Sequence, residues 1–204
     1  MDRAPLLFDL PEPRGYWQKL LPYALLLSVT FALYGMTLYF NFIWDDYYYI
    51  NRDFRIQSLA WPYLSSVWSN TYLGHYAPVH NTLLALLYHF FRLEPFGYHA
   101  AQLLLHAACV CLLYLLVEKI ESPRVALLAT LLFAVHPTNI ETVAWISETK
   151  STLALLFFLL SFWFFIRLRE RGRSLDGVVA GLFLVLSVLS KINTVVAPAI
   201  FLLY

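Results

Sequence analysis

The fold of this chain is decided by residues 20–41, LLPYALLLSVTFALYGMTLYFN, and by the stretch FIWDDYYYI of residues 42–50 that follows them. The first segment is long and apolar enough to cross a bilayer as a helix. Trp and Tyr directly after it are typical of a membrane surface. Among them lie two adjacent carboxylates, Asp45 and Asp46. Ionisable residues at that depth are costly, so the pair is a candidate acid/base or metal site; the alternative is that it only marks the helix end.

The composition is that of an integral membrane protein. Hydrophobic residues make up 60% of the 204 residues and charged residues only 13%, whereas soluble domains have about 45–50% and about 25%. The 14 basic residues are balanced by 13 acidic ones, which provides no basic surface and excludes nucleic acid as a partner. Cys109 and Cys111 lie two apart in an apolar run and are predicted to be core residues.

Further apolar segments predict an all-α, polytopic membrane protein with five to six transmembrane helices. After the first span, they cover about residues 96–118, 125–135 with a continuation past Pro137, 151–166 and 175–190, and a sixth begins near residue 194. Residues 1–19 are predicted to be a cytoplasmic tail. Residues 20–204 are predicted to be the N-terminal part of a transmembrane domain that continues beyond the chain, because the last apolar run is shorter than a full span.

The first predicted loop, residues 42–95, is unusually long. Apolar residues recur in it at helical spacing (Ile56, Leu59, Ala60, Tyr63, Leu64, Val67 and Trp68). This pattern predicts an amphipathic helix on the membrane surface, and a second one is predicted at about residues 79–91. A loop of this length with helices of its own is more often functional than a simple connection.

The distribution of Lys and Arg predicts the orientation of the chain. With the N-terminus inside, the inner segments hold nine of the fourteen basic residues, namely Arg3, Arg14, Lys19, Lys119, Arg124, Arg167, Arg169, Arg171 and Arg173. Short cytoplasmic loops are enriched in these residues. The same orientation places Asp45, Asp46, His136, Glu141 and Lys191 on the outer side.

The second predicted span carries a polar face. His99, Gln102 and His106 are spaced i, i+3 and i+7, so they share one side of a helix and are expected to face protein or water. An interhelical hydrogen-bond seam is one interpretation, and substrate binding by His99 and His106 is another. A metal site is disfavoured because the two histidines are about 10 Å apart along the axis.

Several outer polar residues are candidate substrate contacts. Glu141 follows the helix-distorting Pro137 and is suited to accept a proton or to orient a ligand; a plain surface carboxylate is the alternative. Lys150 and Lys191 lie near the outer ends of two spans, where ammonium groups suit a lipid phosphate or simply extend to the interface. If Asp45 and Asp46 share one partner, one must be protonated or a divalent cation must lie between them. No other cofactor is indicated.

These motifs occur together in one known family. Trp44-Asp45-Asp46 after the first span and the run from Phe133 to Ser147, with His136-Pro137 and Glu141-Thr142-Val143-Ala144-Trp145-Ile146-Ser147, resemble the transmembrane and tetratricopeptide-repeat O-mannosyltransferases and their bacterial relatives. Tyr76 to Val79, His99 to His106 and Leu189-Ser190-Lys191 follow in the family's order. Two positions depart from the family pattern: Ala77, where Arg is frequent, and Gln102, where Asn is frequent.

The resemblance implies a GT-C glycosyltransferase fold, which is often followed by a tetratricopeptide-repeat domain. It implies inverting transfer of a sugar, mannose in the named family, from a polyprenyl-phosphate carrier to a protein or other hydroxyl acceptor outside the cytoplasm. By analogy, the catalytic carboxylate falls on Asp45, with Asp46 beside it. We expect Lys150, Lys191 or His136 to stabilise the leaving phosphate, as oriented donors do for a developing anion.

Two other functional classes stay open. A transporter or flippase for a lipid-linked substrate would use the polar face of the second span, and a non-catalytic membrane scaffold would need none of the candidate residues. For the location, a bacterial inner membrane with a periplasmic site is the first expectation. The endoplasmic reticulum with a lumenal site is the alternative.

Overall fold

The computed structural model describes residues 15–196 and 199–201, and within them every regular element is helical. Eight α-helices follow one another: α1 Tyr16–Tyr34, α2 Trp61–Ser69, α3 Pro78–Phe91, α4 Pro95–Ile120, α5 Pro123–Ala134, α6 Thr138–Ala144, α7 Thr149–Arg171 and α8 Ser174–Ser190. Short 3₁₀ turns cover Gly35–Tyr39, Phe54–Ile56, Ile146–Glu148 and Ile192–Val196, and a π-helical turn covers Tyr47–Arg52. The predicted all-α fold is confirmed.

The helix ends follow from local sequence. Proline occupies the first turn of α2, α3, α4 and α5, where its missing N–H is not needed and its fixed φ suits the helix. Ser122 caps α5 by accepting a hydrogen bond from the N–H of Val125. Gly172 ends α7 with a left-handed φ of 63°, a conformation that glycine adopts without steric cost.

Three helical segments are long and apolar enough to cross a membrane: Lys19–Tyr39, Pro95–Ile120 and Ile146–Arg171. The pair α5 and α6, which is bent by 64° next to Pro137, makes a fourth if it is one span. Helix α8, with 17 residues, is shorter. The sequence predicts the first span over residues 20–41. In the structure α1 begins earlier, at Tyr16, and is followed after Tyr34 by the 3₁₀ turn Gly35–Tyr39. Residues 1–14 of the predicted tail, and part of the sixth predicted span, lie outside the described residues.

Helix α4 is the centre of the bundle, since α1, α5 and α7 all pack against it. One side of α4 forms an apolar cluster with α1 and α5 that includes Leu26, Val110 and Ala126. Its other side packs on α7 around Cys109, Leu116 and Leu159. Both cysteines are free thiols; Cys109 is buried in the core as predicted, whereas Cys111 is only half-buried.

Helix α8 returns antiparallel along α7, and buried serines connect the two. The hydroxyl of Ser161 donates to the carbonyl of Ala180, and that of Ser187 donates to Ala154, both at 2.7 Å. Serine at helix contacts permits close approach and supplies hydrogen bonds where water is absent.

The helices predicted within the first loop are confirmed as α2 and α3. They close over an apolar cluster that holds Tyr49, Ile50, Ile56, Leu84 and Tyr98. This cluster joins the loop to the start of α4 and to the turn before α7. We call this end of the molecule the loop face: residues 40–94, 136–150 and 190–193.

The first turn of α4 has no room for a side chain at Gly97, since a Cβ there would lie 2.1 Å from Cγ of Phe91. We expect Gly97→Ala to push the Phe91 ring from its place and to lower the free energy of unfolding by about 1–3 kcal/mol. Thermal unfolding in detergent measures the change. The control is Gly181→Ala in α8, where the Cβ would meet nothing within 4 Å. Equal effects of the two substitutions would contradict the packing argument.

Candidate active site

Asp46 is buried and is held by residues from a distant part of the chain. The backbone N–H of Ser147 donates to its Oδ1 at 2.8 Å, and the Ser147 hydroxyl donates to the same oxygen at 2.6 Å. The N–H of Ile43 donates to Oδ2 at 3.1 Å. Burial raises the pKa of Asp46 above its ordinary value, although these three hydrogen bonds oppose the shift. Asp46 therefore anchors the loop after α1 to the turn before α7.

Asp45 is placed differently from its neighbour. Its side chain is half-buried, and within the described residues no hydrogen bond or ion pair holds its carboxylate. The backbone is well held, because its carbonyl accepts the N–H groups of Tyr48 and Tyr49, both at 2.9 Å. Of the two carboxylates, Asp45 is thus the one that can reach a ligand.

The backbone just before the acidic pair is strained. Trp44 has a φ of 45°, a region that bulky residues rarely adopt and that costs of order 1–3 kcal/mol. Its ring meets Trp145 edge-to-face with 5.4 Å between the centroids. The anchored Asp46 and this ring contact together hold the turn that presents Asp45.

Two lysines converge on one carboxylate at the same end of the molecule. Nζ of Lys150 lies 3.3 Å from Oε1 of Glu148, and Nζ of Lys191 lies 3.0 Å from Oε2. The Lys191 ammonium also donates to the hydroxyl of Ser151 at 2.6 Å, and that hydroxyl donates to Glu148. The ion pair and hydrogen bond of Lys191 thereby connect the end of α8 to the start of α7.

The two lysines line a cavity of about 310 Å³, which we call the lysine cavity. Its described wall consists of Thr71, Gly74, His75, Tyr76, Ala77, Lys150, Ser190, Lys191, Ile192 and Asn193. Cationic, hydroxyl and amide groups together with an aromatic ring are suited to a ligand that carries a phosphate and a polar group.

Tyr49 joins the acidic pair to the lysine cavity. The ammonium of Lys150 lies over its ring, 5.4 Å from the centroid, which is a cation–π contact. Burial raises the pKa of Tyr49 to about 12, and the nearby carboxylates of Asp45 and Glu148 add to this shift. The backbone N–H of Tyr49 also donates to the carbonyl of Asp45 at 2.9 Å, so Tyr49 contacts both Asp45 and Lys150.

His80 lies beneath this site on α3. It is fully buried, with Nδ1 at 3.2 Å from Oδ1 of Asn81 and its ring edge-to-face with Tyr49. Burial, and to a smaller extent the positive charge of Lys150, lower the pKa of His80 to about 3. The imidazole is therefore neutral at pH 7.

The structure does not bring every predicted residue to the lysine cavity. His136 and Glu141 are exposed on the bent link between α5 and α6, where Nδ1 of His136 lies 2.8 Å from the hydroxyl of Thr138. His99 and His106 are buried in α4, against the rings of Phe40 and Tyr34 respectively. Their assignment as substrate contacts stays a prediction.

The polar face of α4 is partly a hydrogen-bond seam. Nε2 of Gln102 donates to the carbonyl of Thr142 and, at 2.8 Å, to the hydroxyl of Thr152, which ties α4 to α6 and α7. Because this face is enclosed by protein, the described residues provide no support for a transport pathway. They also contain no group of three His, Cys, Asp or Glu side chains suited to a metal ion.

Sequence reasoning missed Ser147, Glu148, Ser151, Tyr49 and His80. Ser147 ends the motif that supports the resemblance, and Glu148 directly follows it, two residues before Lys150. That spacing was the available signal for the ion pair. The contacts of Tyr49 and His80 join separate segments and have no local signature.

The fold and site are those of a polytopic helical membrane protein with an acidic pair and two lysines at one end. The chain belongs to the family described as dolichyl-phosphate-mannose-protein mannosyltransferase, whose model matches residues 75–204. This confirms the resemblance noted in the sequence.

Named relatives agree with this assignment. The chain is 32% identical to protein O-mannosyl-transferase TMTC1 of Homo sapiens over 80% of its length, and 32% identical to TMTC4 of Mus musculus over 60%. It is 27% identical to TMTC3 of Mus musculus over 68%. The matches span 20%, 18% and 16% of these relatives, so the chain covers only about a fifth of their length. No solved structure matches the chain.

We expect Asp46→Ala to lower the free energy of unfolding by about 1–3 kcal/mol, because it leaves the buried donors of Ser147 without a partner. The matched control is Asp45→Ala, for which we expect a change within about 0.5 kcal/mol. Thermal unfolding of both variants in detergent measures the difference. A destabilised Asp45→Ala beside an unaffected Asp46→Ala would reverse the two roles.

The lowered pKa of His80 makes stability depend on pH. Its folded-state value of about 3 lies below the unfolded value of 6.5, so the unfolded state binds the proton first on acidification. Stability contributed by the neutral imidazole is present above pH 6.5 and is lost towards pH 3, by up to about 1.4 kcal/mol per pH unit. We expect His80→Gln to make this loss shallower in unfolding measurements between pH 7.5 and 4. The control is His75→Gln at an exposed histidine, which should leave the pH dependence of the unfolding free energy as in the wild type. An equal pH dependence in the wild type and His80→Gln would contradict the prediction.

Proposed function

We propose that the protein transfers a sugar, mannose, from a polyprenyl-phosphate carrier to a hydroxyl group of a protein or glycan acceptor, with inversion at the anomeric carbon. The observation that supports the proposal is that Tyr49 contacts both candidate groups. Its N–H donates to the carbonyl of the half-buried Asp45 at 2.9 Å, and its ring lies under the ammonium of Lys150, which lines the lysine cavity. Family membership and the names of the relatives support mannose as the sugar and protein as the acceptor.

Asp45 is the general base of this proposal. Its carboxylate is close to the surface and has no partner among the described residues, so it is available to take the proton of an acceptor hydroxyl. A base positioned in this way contributes typically 10²–10⁴-fold to a rate. Asp46 acts by holding the turn, because its own oxygens are occupied by Ser147 and Ile43.

The lysine cavity holds the phosphate of the donor in this proposal. The attacking oxygen forms its bond to the anomeric carbon from the face opposite the phosphate, and the bond from that carbon to the phosphate oxygen breaks. Negative charge then develops on the polyprenyl phosphate. The ammonium groups of Lys150 and Lys191 are oriented by Glu148 before the reaction and stabilise this charge.

The exposed link between α5 and α6 is the proposed acceptor side. His136 and Glu141 are exposed there, which suits contacts to a protein or glycan. The positive-inside bias supports a loop face outside the cytoplasm, in the periplasm of a bacterium or the lumen of the endoplasmic reticulum.

We expect Asp45→Asn to reduce sugar transfer by at least about a hundredfold, because the amide cannot take the proton. The assay uses membranes that contain the protein, radiolabelled polyprenyl-phosphate mannose and a serine/threonine-rich acceptor peptide. The control is Glu94→Gln, an exposed carboxylate at the end of the loop.

Unchanged membrane insertion and thermal unfolding would show that the loss in Asp45→Asn is not due to misfolding. Retained transfer by Asp45→Asn would overturn the assignment of the base. No transfer by the wild type from this or other polyprenyl-phosphate sugars would overturn the proposed function.

A further inference from the structure

Glu148 lies behind the lysines and outside the described wall of the lysine cavity. Its two oxygens are each within 3.3 Å of one ammonium group, and both ammonium groups line the cavity. A ligand in the cavity therefore meets Lys150 and Lys191 first and the carboxylate second. Only 17% of the Glu148 side chain is exposed, so its charge is weakly screened by solvent.

This arrangement sets the charge that a ligand meets. Two ammonium groups and one carboxylate leave a net charge of +1, and the other titratable groups in the described wall are His75 and Tyr76. Coulomb energy is proportional to the product of the charges. With Glu148 ionised, each negative charge on a ligand therefore interacts with a net cavity charge of +1. Without Glu148 it would interact with a net charge of +2.

The proposed reaction changes the charge of the bound phosphate. The donor is a phosphodiester with one negative charge. When its bond to the sugar breaks, the bonding electrons stay on the phosphate oxygen and the acceptor proton goes to Asp45, so the product is a phosphomonoester with two negative charges. A cavity with a net charge of +2 would hold this dianion far more tightly than the donor and would slow its exchange.

We propose that Glu148 is a specificity-determining residue that lowers the charge of the lysine cavity, so that a phosphodiester monoanion binds and a phosphomonoester dianion is released. This inference rests on the proposed function of the same cavity. Glu148 acts through Lys150 and Lys191 and does not itself contact the substrate.

The test compares two probes that differ in one charge. Farnesyl phosphate is a dianion at pH 8.5, and its methyl ester is a monoanion. In Glu148→Gln we expect the affinity for the monoanion to rise by about tenfold and the affinity for the dianion by about a hundredfold, because the gain scales with ligand charge. Calorimetry on the protein in detergent micelles at constant ionic strength measures both.

Two further variants make the test specific. Lys191→Gln removes one positive charge, so it should weaken the binding of the dianion more than that of the monoanion. Its side chain is 30% exposed, which makes the substitution easier to accommodate if Glu148→Gln fails to fold. Glu170→Gln is the matched control, since Glu170 pairs with Lys119 at 2.7 Å at the other end of α7; both affinities should stay unchanged.

Equal changes for the two probes in Glu148→Gln, or no binding of either probe by the wild type, would overturn the inference. The readout does not require sugar transfer. A changed affinity ratio in a protein that transfers no sugar would therefore refute the proposed function alone. Sugar transfer with an unchanged ratio would refute only the role of Glu148.

Discussion

The loop face depends on the hydrogen bonds between Asp46 and Ser147, which connect residues 101 positions apart. The carboxylate of Asp46 is removed from water on folding, and it is stable there only with donors in place. The turn before α7 supplies two of them. Since Ser147 lies directly before α7, which carries Lys150, one buried contact connects the turn that presents Asp45 to the start of this helix.

Charge compensation explains how two lysines are kept at the edge of a largely apolar bundle. Lys150 is only 7% exposed, and its ammonium is balanced by the carboxylate of Glu148 and by the ring of Tyr49. Buried ion pairs contribute little net stability, because desolvation offsets the attraction, whereas the loss of one partner is costly. Net stability therefore does not account for the presence of this group, whereas the proposed binding of a phosphate would.

The polar residues inside the bundle have a structural explanation that is separate from the site. The amide of Gln102 and the hydroxyls of Ser161 and Ser187 all donate to carbonyl groups on neighbouring helices. These contacts hold α4, α6, α7 and α8 together where water is not available. The contacts of Gln102 on the enclosed face of α4 are thus packing contacts between helices, separate from the proposed site at the loop face.

Composition and hydrophobic periodicity alone determined the all-α membrane fold, the helices of the first loop, the break near Pro137 and the candidate residues Asp45, Lys150 and Lys191. These features are local, because a span or an amphipathic helix is encoded in consecutive residues. Tertiary structure decided the different surroundings of Asp45 and Asp46, the pairing of both lysines with Glu148 and the burial of His80. Each of these depends on contacts between segments that are distant in the chain. Such contacts leave no repeating pattern in the sequence from which burial or ion pairing could be predicted.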